Sequence, residues 1–240
     1  MLADAAAIRR GTTFDSVLAS CWEGTDAPGP YPPAVAGEKV DWTKILVADR
    51  LVAMIHIRVA TYGPEYGFGL QCSSNMCRKR FDWDIDLVRD VPVKSIPEEA
   101  LAAFASGNRL ECSAGGFDLV FKLLVGSDET KSRALRGASI MTDALAARIV
   151  EFKGVHPNDR VRTIEDLGMP AVREILDALD RSDGGVETEL EVECPHCQNV
   201  MEVQLPFGKE FFLPTTKRKT LLGGSSRASR RRNSGTGLPT

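Results

Sequence analysis

Two pairs of closely spaced cysteines constrain this chain more than any other feature. Cys72-Ser73-Ser74-Asn75-Met76-Cys77 puts four residues between the first pair, and Cys194-Pro195-His196-Cys197 puts two between the second. Both spacings fall in the range found in structural zinc sites. Each pair is flanked by runs of period two, the mark of a half-buried strand. Tyr66, Phe68 and Leu70 lead into Cys72, and Phe81-Asp82-Trp83-Asp84-Ile85-Asp86-Leu87 leaves Cys77. Val186, Thr188, Leu190 and Val192 alternate with glutamates before Cys194, and Met201, Val203, Leu205 and Phe207 alternate after Cys197. Each pair is therefore predicted at the tip of a β-hairpin. Zinc takes four ligands in a tetrahedron. Two thiolate pairs brought face to face supply that set, so Cys72, Cys77, Cys194 and Cys197 are the predicted ligands of one structural zinc. The two pairs are 116 residues apart. A metal closing so long a loop stabilises strongly, because loop-closure entropy grows with length.

The residues leave rival readings open. Cys194 and Cys197 alone have the spacing of a redox pair, although strands surround them rather than a strand–turn–helix. The four thiols are also compatible with having no common role, and an all-cysteine set does not separate zinc from iron. His196 is expected to be an exposed loop residue rather than a ligand. Cys112 is expected as a small core residue, and Cys21 as packed beside Trp22 or free. His56 is expected to pack within an apolar helix. Asp82, Asp84 and Asp86 read as a solvated strand face. A closed four-cysteine site keeps no open position for substrate. With no glycine-rich phosphate loop and no nucleophile triad, the chain is not expected to be an enzyme.

The rest of the chain predicts an α+β protein: a split zinc ribbon with an inserted hairpin and helices. Residues 1–40 read as an N-terminal helix and a proline-rich arm, the arm holding Pro28, Pro30, Pro32 and Pro33. Residues 41–214 form the zinc-pinned body. It is expected to open with a helix capped by Asp41 or Thr43 and running to about Ala60. A short helix from Pro97 and a hairpin around Gly115-Gly116 follow. A helix capped by Ser127 is expected next, extended by a segment from Thr142 to Phe152. Pro170 opens a helix with Val172, Ile175, Leu176 and Leu179 on one face. Residues 215–240 read as a disordered basic tail.

Charge supports that division. The chain carries −3 overall, yet after Glu210 there is no acid and seven cations, Lys217 to Arg232, which leaves residues 1–210 at −10. The tail suits an acidic surface or nucleic acid. It holds no aromatic to stack on a base, so nucleic acid is the less favoured partner. No apolar run approaches the roughly 18 residues of a membrane span, and the start has no basic-then-apolar leader. The expected setting is a reducing cytoplasm, where close cysteines are metal ligands more often than disulfides.

The stretch from Asp49-Arg50-Leu51 through Arg58, Thr61-Tyr62-Gly63 and Glu65-Tyr66 to Cys72 and Cys77 resembles the baseplate protein family of T-even-type contractile-tailed bacteriophages. So does Glu193-Cys194-Pro195-His196-Cys197 with Leu205-Pro206-Phe207 and Phe211-Phe212-Leu213-Pro214. The resemblance covers residues 41–214. It implies a structural component of the tail baseplate, near the hub and the tape-measure protein, in the virion after assembly in the bacterial cytoplasm. It also implies an oligomeric setting with those proteins. An assembly chaperone that binds the tape measure or hub and then leaves is the first alternative. A zinc-ribbon nucleic-acid-binding regulator is the second.

Overall fold

The computed structural model describes residues 13–129, 140–207 and 209–212. It shows a mixed α and β chain divided into two compact units, one of residues 1–57 and 93–186, the other of 58–92 and 187–240. The first twelve residues, most of the helix expected from Ser127 and the basic tail lie outside the described residues; residues 126–129 are helical.

The first unit begins with α1 (Thr13–Cys21) and most of α2 (Val47–Tyr62). The helix expected from Asp41 starts later. Asp41 Oδ1 instead accepts from Thr43 N at 3.2 Å and Thr43 Oγ1 at 2.6 Å, closing a turn on itself. The Thr43 hydrogen bond holds the Asp41 carboxyl below the usual range. The proline-rich segment, read as a linker or extended arm, is folded onto this unit. Val35 and Ala36 are buried, and the Tyr31 ring meets Phe104 edge-on at 5.6 Å. The Tyr31 hydroxyl donates to Asp49 and accepts from Leu46 N at 3.1 Å. Burial first, then the Asp49 carboxylate, push its pKa above the phenol range. Prolines deny this segment regular structure, but they do not keep its apolar side chains in water.

The core lies on a three-stranded antiparallel sheet of β4 (Leu110–Ala114), β5 (Phe117–Phe121) and β6 (Ile149–Phe152). Strand β6 corrects an expectation. The sequence from Thr142 predicts helix to Phe152, but α4 (Ile140–Arg148) ends at Arg148 and the next four residues form the strand that pairs with β5. Ile149 and Phe152 are 0% and 2% exposed against Leu119 and Phe121. A four-residue strand is too short for its period to stand out beside a helix, so tertiary pairing decides. Before β4 come β3 (Val93–Lys94) and α3 (Glu98–Ala105). After β6 come a 3₁₀ turn (Pro157–Asp159), α5 (Arg160–Glu165) and α6 (Met169–Ser182). Helix α6 buries Val172, Ile175 and Leu179, and Leu176 stays partly exposed. The β4–β5 turn needs glycine at position 115: φ is +62°, and a Cβ there would lie 2.9 Å from Ala171 O. Strand β3 pairs with β7 (Gly185–Val186).

Arg50 is buried in this unit at 4% exposure. It pairs with Asp15 and with Glu129 (2.9 Å), and donates to Trp42 O at 2.5 Å. His56, expected to pack, is exposed. It shares the wet stripe of α2 with Ala60, four residues on.

The second unit holds two separate two-stranded sheets. One pairs β1 (Glu65–Gln71) with β2 (Arg80–Asp86), from Glu65↔Asp86 to Gln71↔Arg80. The other pairs β8 (Glu189–Glu193) with β9 (Val200–Gln204), from Glu189↔Gln204 to Glu193↔Val200. Tyr66, Phe68, Trp83, Ile85, Leu190, Val192 and Met201 are buried. Asp82 and Asp84 face water. The described chain ends in a short helix, α7 (Lys209–Phe212). Among the described residues no helix is long and apolar enough to cross a membrane.

Candidate metal centre

Both hairpins of the second unit end in a cysteine loop, and the loops are built alike. Cys72 N donates to Lys79 O at 2.9 Å, closing the first loop. Cys194 N donates to Asn199 O at 3.0 Å, closing the second. In each loop the residue after the second cysteine is left-handed: Arg78 has φ 50° and Gln198 has φ 60°. Within each loop the first cysteine's sulfur accepts from the backbone N–H two residues on, Ser74 for Cys72 and His196 for Cys194. Cys197 accepts likewise from Asn199. The loops are tied across by Asn199 Nδ2 donating to Ser73 Oγ at 3.1 Å.

This construction brings the four predicted cysteines to one point. Their sulfurs all lie within 4.8 Å of one another. The near contacts run between loops: Cys72 Sγ to Cys197 Sγ is 3.6 Å, and Cys77 Sγ to Cys194 Sγ is 3.9 Å. All four thiols are free. Sulfurs bonded at about 2.3 Å to one tetrahedral ion stand ~3.8 Å apart, so these spacings are those of a ligand set. Cys72 and Cys194 are buried, Cys77 is half-buried and Cys197 exposed. The set is able to bind a metal ion.

The electrostatics fit a cation. Burial is the largest influence on Cys194 and opposes its ionisation. The N–H groups of His196 and Cys197 and the thiols of Cys72 and Cys197 outweigh it, bringing the pKa down to about 7. Burial pushes Cys72 up. At Cys197 the Asn199 N–H lowers the pKa, but burial and the three neighbouring thiols together drive it up to about 12. Four sulfurs this close favour one thiolate and resist further ones, unless a cation neutralises the set.

The remaining cysteines and histidines lie elsewhere. Cys21 is exposed and Cys112 is half-buried against the core of the first unit. His196 is exposed in its loop. His156 Nδ1 accepts from Asn158 N at 3.3 Å and caps the 3₁₀ turn. Arg58 supports the metal unit; in the sequence it stood out only as a charge inside an apolar run and as one residue of the resembling stretch. It is 4% exposed. It donates to Gly63 O at 2.9 Å and Glu65 O at 3.0 Å, where the chain turns into β1. The rings of Tyr62, Tyr66 and Phe211 stand 5.0, 5.9 and 6.0 Å from its guanidinium carbon. Phe211 belongs to α7, and Tyr66 donates to Pro206 O at 2.8 Å. The guanidinium thus joins the strand leading to Cys72 with the segment that follows β9.

Comparison with protein-family models, with curated proteins and with solved structures matched none of them to this chain.

Proposed function

We propose that this chain is a structural component of a contractile phage tail baseplate, in the hub region, whose four cysteines hold a structural zinc ion. The observation that carries the zinc reading is the gathering of Cys72, Cys77, Cys194 and Cys197, two pairs with 116 residues between them, with sulfurs within 4.8 Å. An all-thiolate tetrahedral set suits zinc, and the two cysteine-tipped hairpins support reading it as a split ribbon. When bound, the ion supplies charge neutralisation and a cross-link. The chain's own residues supply four sulfurs and the N–H groups that orient them, while Arg58 braces the other end of the hairpin that carries Cys72. A closed set of four leaves no position for substrate, which fits a staple and not a catalyst.

The baseplate reading rests on the resemblance. Partners would be hub and tape-measure proteins. Mass spectrometry of tails purified from the encoding phage tests this. The chain is expected in mature tails at a fixed ratio to the hub. Its absence there, with tails still dependent on its gene, would replace the structural reading with the assembly chaperone.

A further inference from the structure

The four sulfurs of the metal centre are not equally guarded. Cys72 and Cys194 are 1% and 0% exposed, and Cys77 is half-buried. Cys197 lies open to solvent in the loop between β8 and β9. A small oxidant arriving from water therefore meets the set at Cys197, since access decides which thiol reacts first.

The sulfur waiting beside it comes from the other hairpin. Cys72 Sγ stands 3.6 Å from Cys197 Sγ. A disulfide needs about 2.05 Å, so the two must close by roughly 1.5 Å, a movement on the scale of side-chain rotation. The loops are also tied on this side by protein atoms alone. Asn199, two residues past Cys197, donates through Nδ2 to the hydroxyl of Ser73, the neighbour of Cys72, at 3.1 Å. The rival within the same loop, Cys194, is fully buried, and its sulfur already accepts from the N–H groups of His196 and Cys197. Cys194 faces Cys77 of the other loop at 3.9 Å.

We infer that Cys197 is an oxidation site, and that a peroxide converts the metal centre into a disulfide between Cys72 and Cys197 across the two hairpins. This rests on the metal reading of the four cysteines and not on the baseplate reading. In the first step the Cys197 sulfur attacks one oxygen of hydrogen peroxide. An S–O bond forms, the O–O bond breaks, and the departing hydroxide takes a proton to become water. Cys197, now a sulfenic acid, has lost two electrons to the peroxide. In the second step the Cys72 thiolate attacks the Cys197 sulfur. The S–S bond forms, the S–O bond breaks, and the second hydroxide leaves and is protonated to water. Cys77 and Cys194 alone do not complete a tetrahedral set, so the metal passes to any competing chelator. The hairpins stay joined, because the new bond spans the same two loops, between residues 125 apart in sequence. A dithiol reductant restores the four thiols. The same two loops are thus tied by metal when reduced and by a covalent bond when oxidised.

The test uses the full chain loaded with zinc and treated with one equivalent of hydrogen peroxide beside a chromophoric zinc chelator. Free thiols are then alkylated and the chain is digested without reduction for mass spectrometry. The expected result is release of the zinc together with a linked peptide pair holding Cys72 and Cys197 within one chain, both reversed by dithiothreitol and fresh zinc. Zinc kept under peroxide, a Cys194–Cys197 or Cys72–Cys77 link in its place, a link between chains, or a sulfinic acid at Cys197 with no link would each overturn the inference while leaving the metal reading intact. A chain that takes up no zinc would overturn both. The Cys21→Ser/Cys112→Ser variant keeps all four ligands and is expected to respond as the wild type does; a response lost there would place the oxidation at those thiols and overturn the inference. As a second readout, the oxidised metal-free chain is expected to melt several degrees above the reduced metal-free chain, because the disulfide restricts the unfolded state. Equal melting temperatures would show that the bond does not take over the tie.

Discussion

Gln198 and Arg78 hold the left-handed turn that follows each cysteine pair, at φ 60° and 50°. A side chain costs about 1–2 kcal/mol in that conformation, and glycine adopts it freely. Glycine also enlarges the unfolded ensemble, so the gain is partly offset. Gln198→Gly is therefore expected to raise stability by roughly 0.5–1 kcal/mol in a urea melt of the metal-loaded protein, and Gln198→Val to lower it by more than ~1 kcal/mol. A more stable valine variant would show that the loop does not hold this turn in solution. Arg58 carries a different expectation. Truncating it to alanine removes the partner of the Gly63 and Glu65 carbonyls and leaves three rings unsupported, a loss of about 2–4 kcal/mol. Lysine is not expected to restore this, because it cannot fork between two carbonyls and lie flat against rings. The cysteines were legible because metal spacing is written locally. The burial and partners of Arg50 and Arg58 were not: both stand in the resembling stretch, but a cation in a helix is normally wet, and nothing nearby in sequence names the distant partners Asp15, Glu129 or Phe211.

Among the elements, the long alternating strands and the α6 helix were legible from period alone. Helix α6 has Pro170 in its first turn and buries Val172, Ile175 and Leu179 of the expected face, while Leu176, expected with them, is exposed. Strand β6 was not, since only its pairing with β5 distinguishes it from the end of α4. The packing of the proline-rich segment was not legible for a related reason: its composition forbids regular structure but does not say whether it packs. At the other end, α7 is held by stacking, with Phe211 set 5.1 Å from Tyr66 and 5.0 Å from Phe207. Phe211 is 0% exposed, so Phe211→Ala is expected to cost about 3–5 kcal/mol, measured by thermal melting. The four sulfurs come from the hairpin loops and not from α7, so one metal per folded chain should remain. Loss of metal at temperatures where the variant is still folded would show that α7 helps build the site.

The whole chain divides into a unit with a large apolar core and a smaller unit organised around four sulfurs. The core of the first includes Leu119, Phe121, Ile149, Phe152 and Ile175, all within that unit. Calorimetry with a strong chelator is expected to lower one transition, that of residues 58–92 and 187–212, and leave the other in place. A single transition unmoved by chelator would contradict a metal-dependent unit. Protons compete with the metal for thiolates, and Cys194 titrates at about 7. Metal affinity should accordingly fall as pH drops from 8 to 6 and rise in the other direction, as read by competition with a chromophoric chelator. Affinity constant across that range would mean the thiols are not the ligands.

The central claim is that four cysteines from two distant hairpins hold one structural metal. Metal analysis of the wild type beside Cys194→Ser, with both melting temperatures, tests it most directly. One zinc per chain is expected in the wild type, with a marked loss of both zinc and melting temperature in the variant. A variant that keeps its full zinc and its melting temperature would contradict the four-cysteine site.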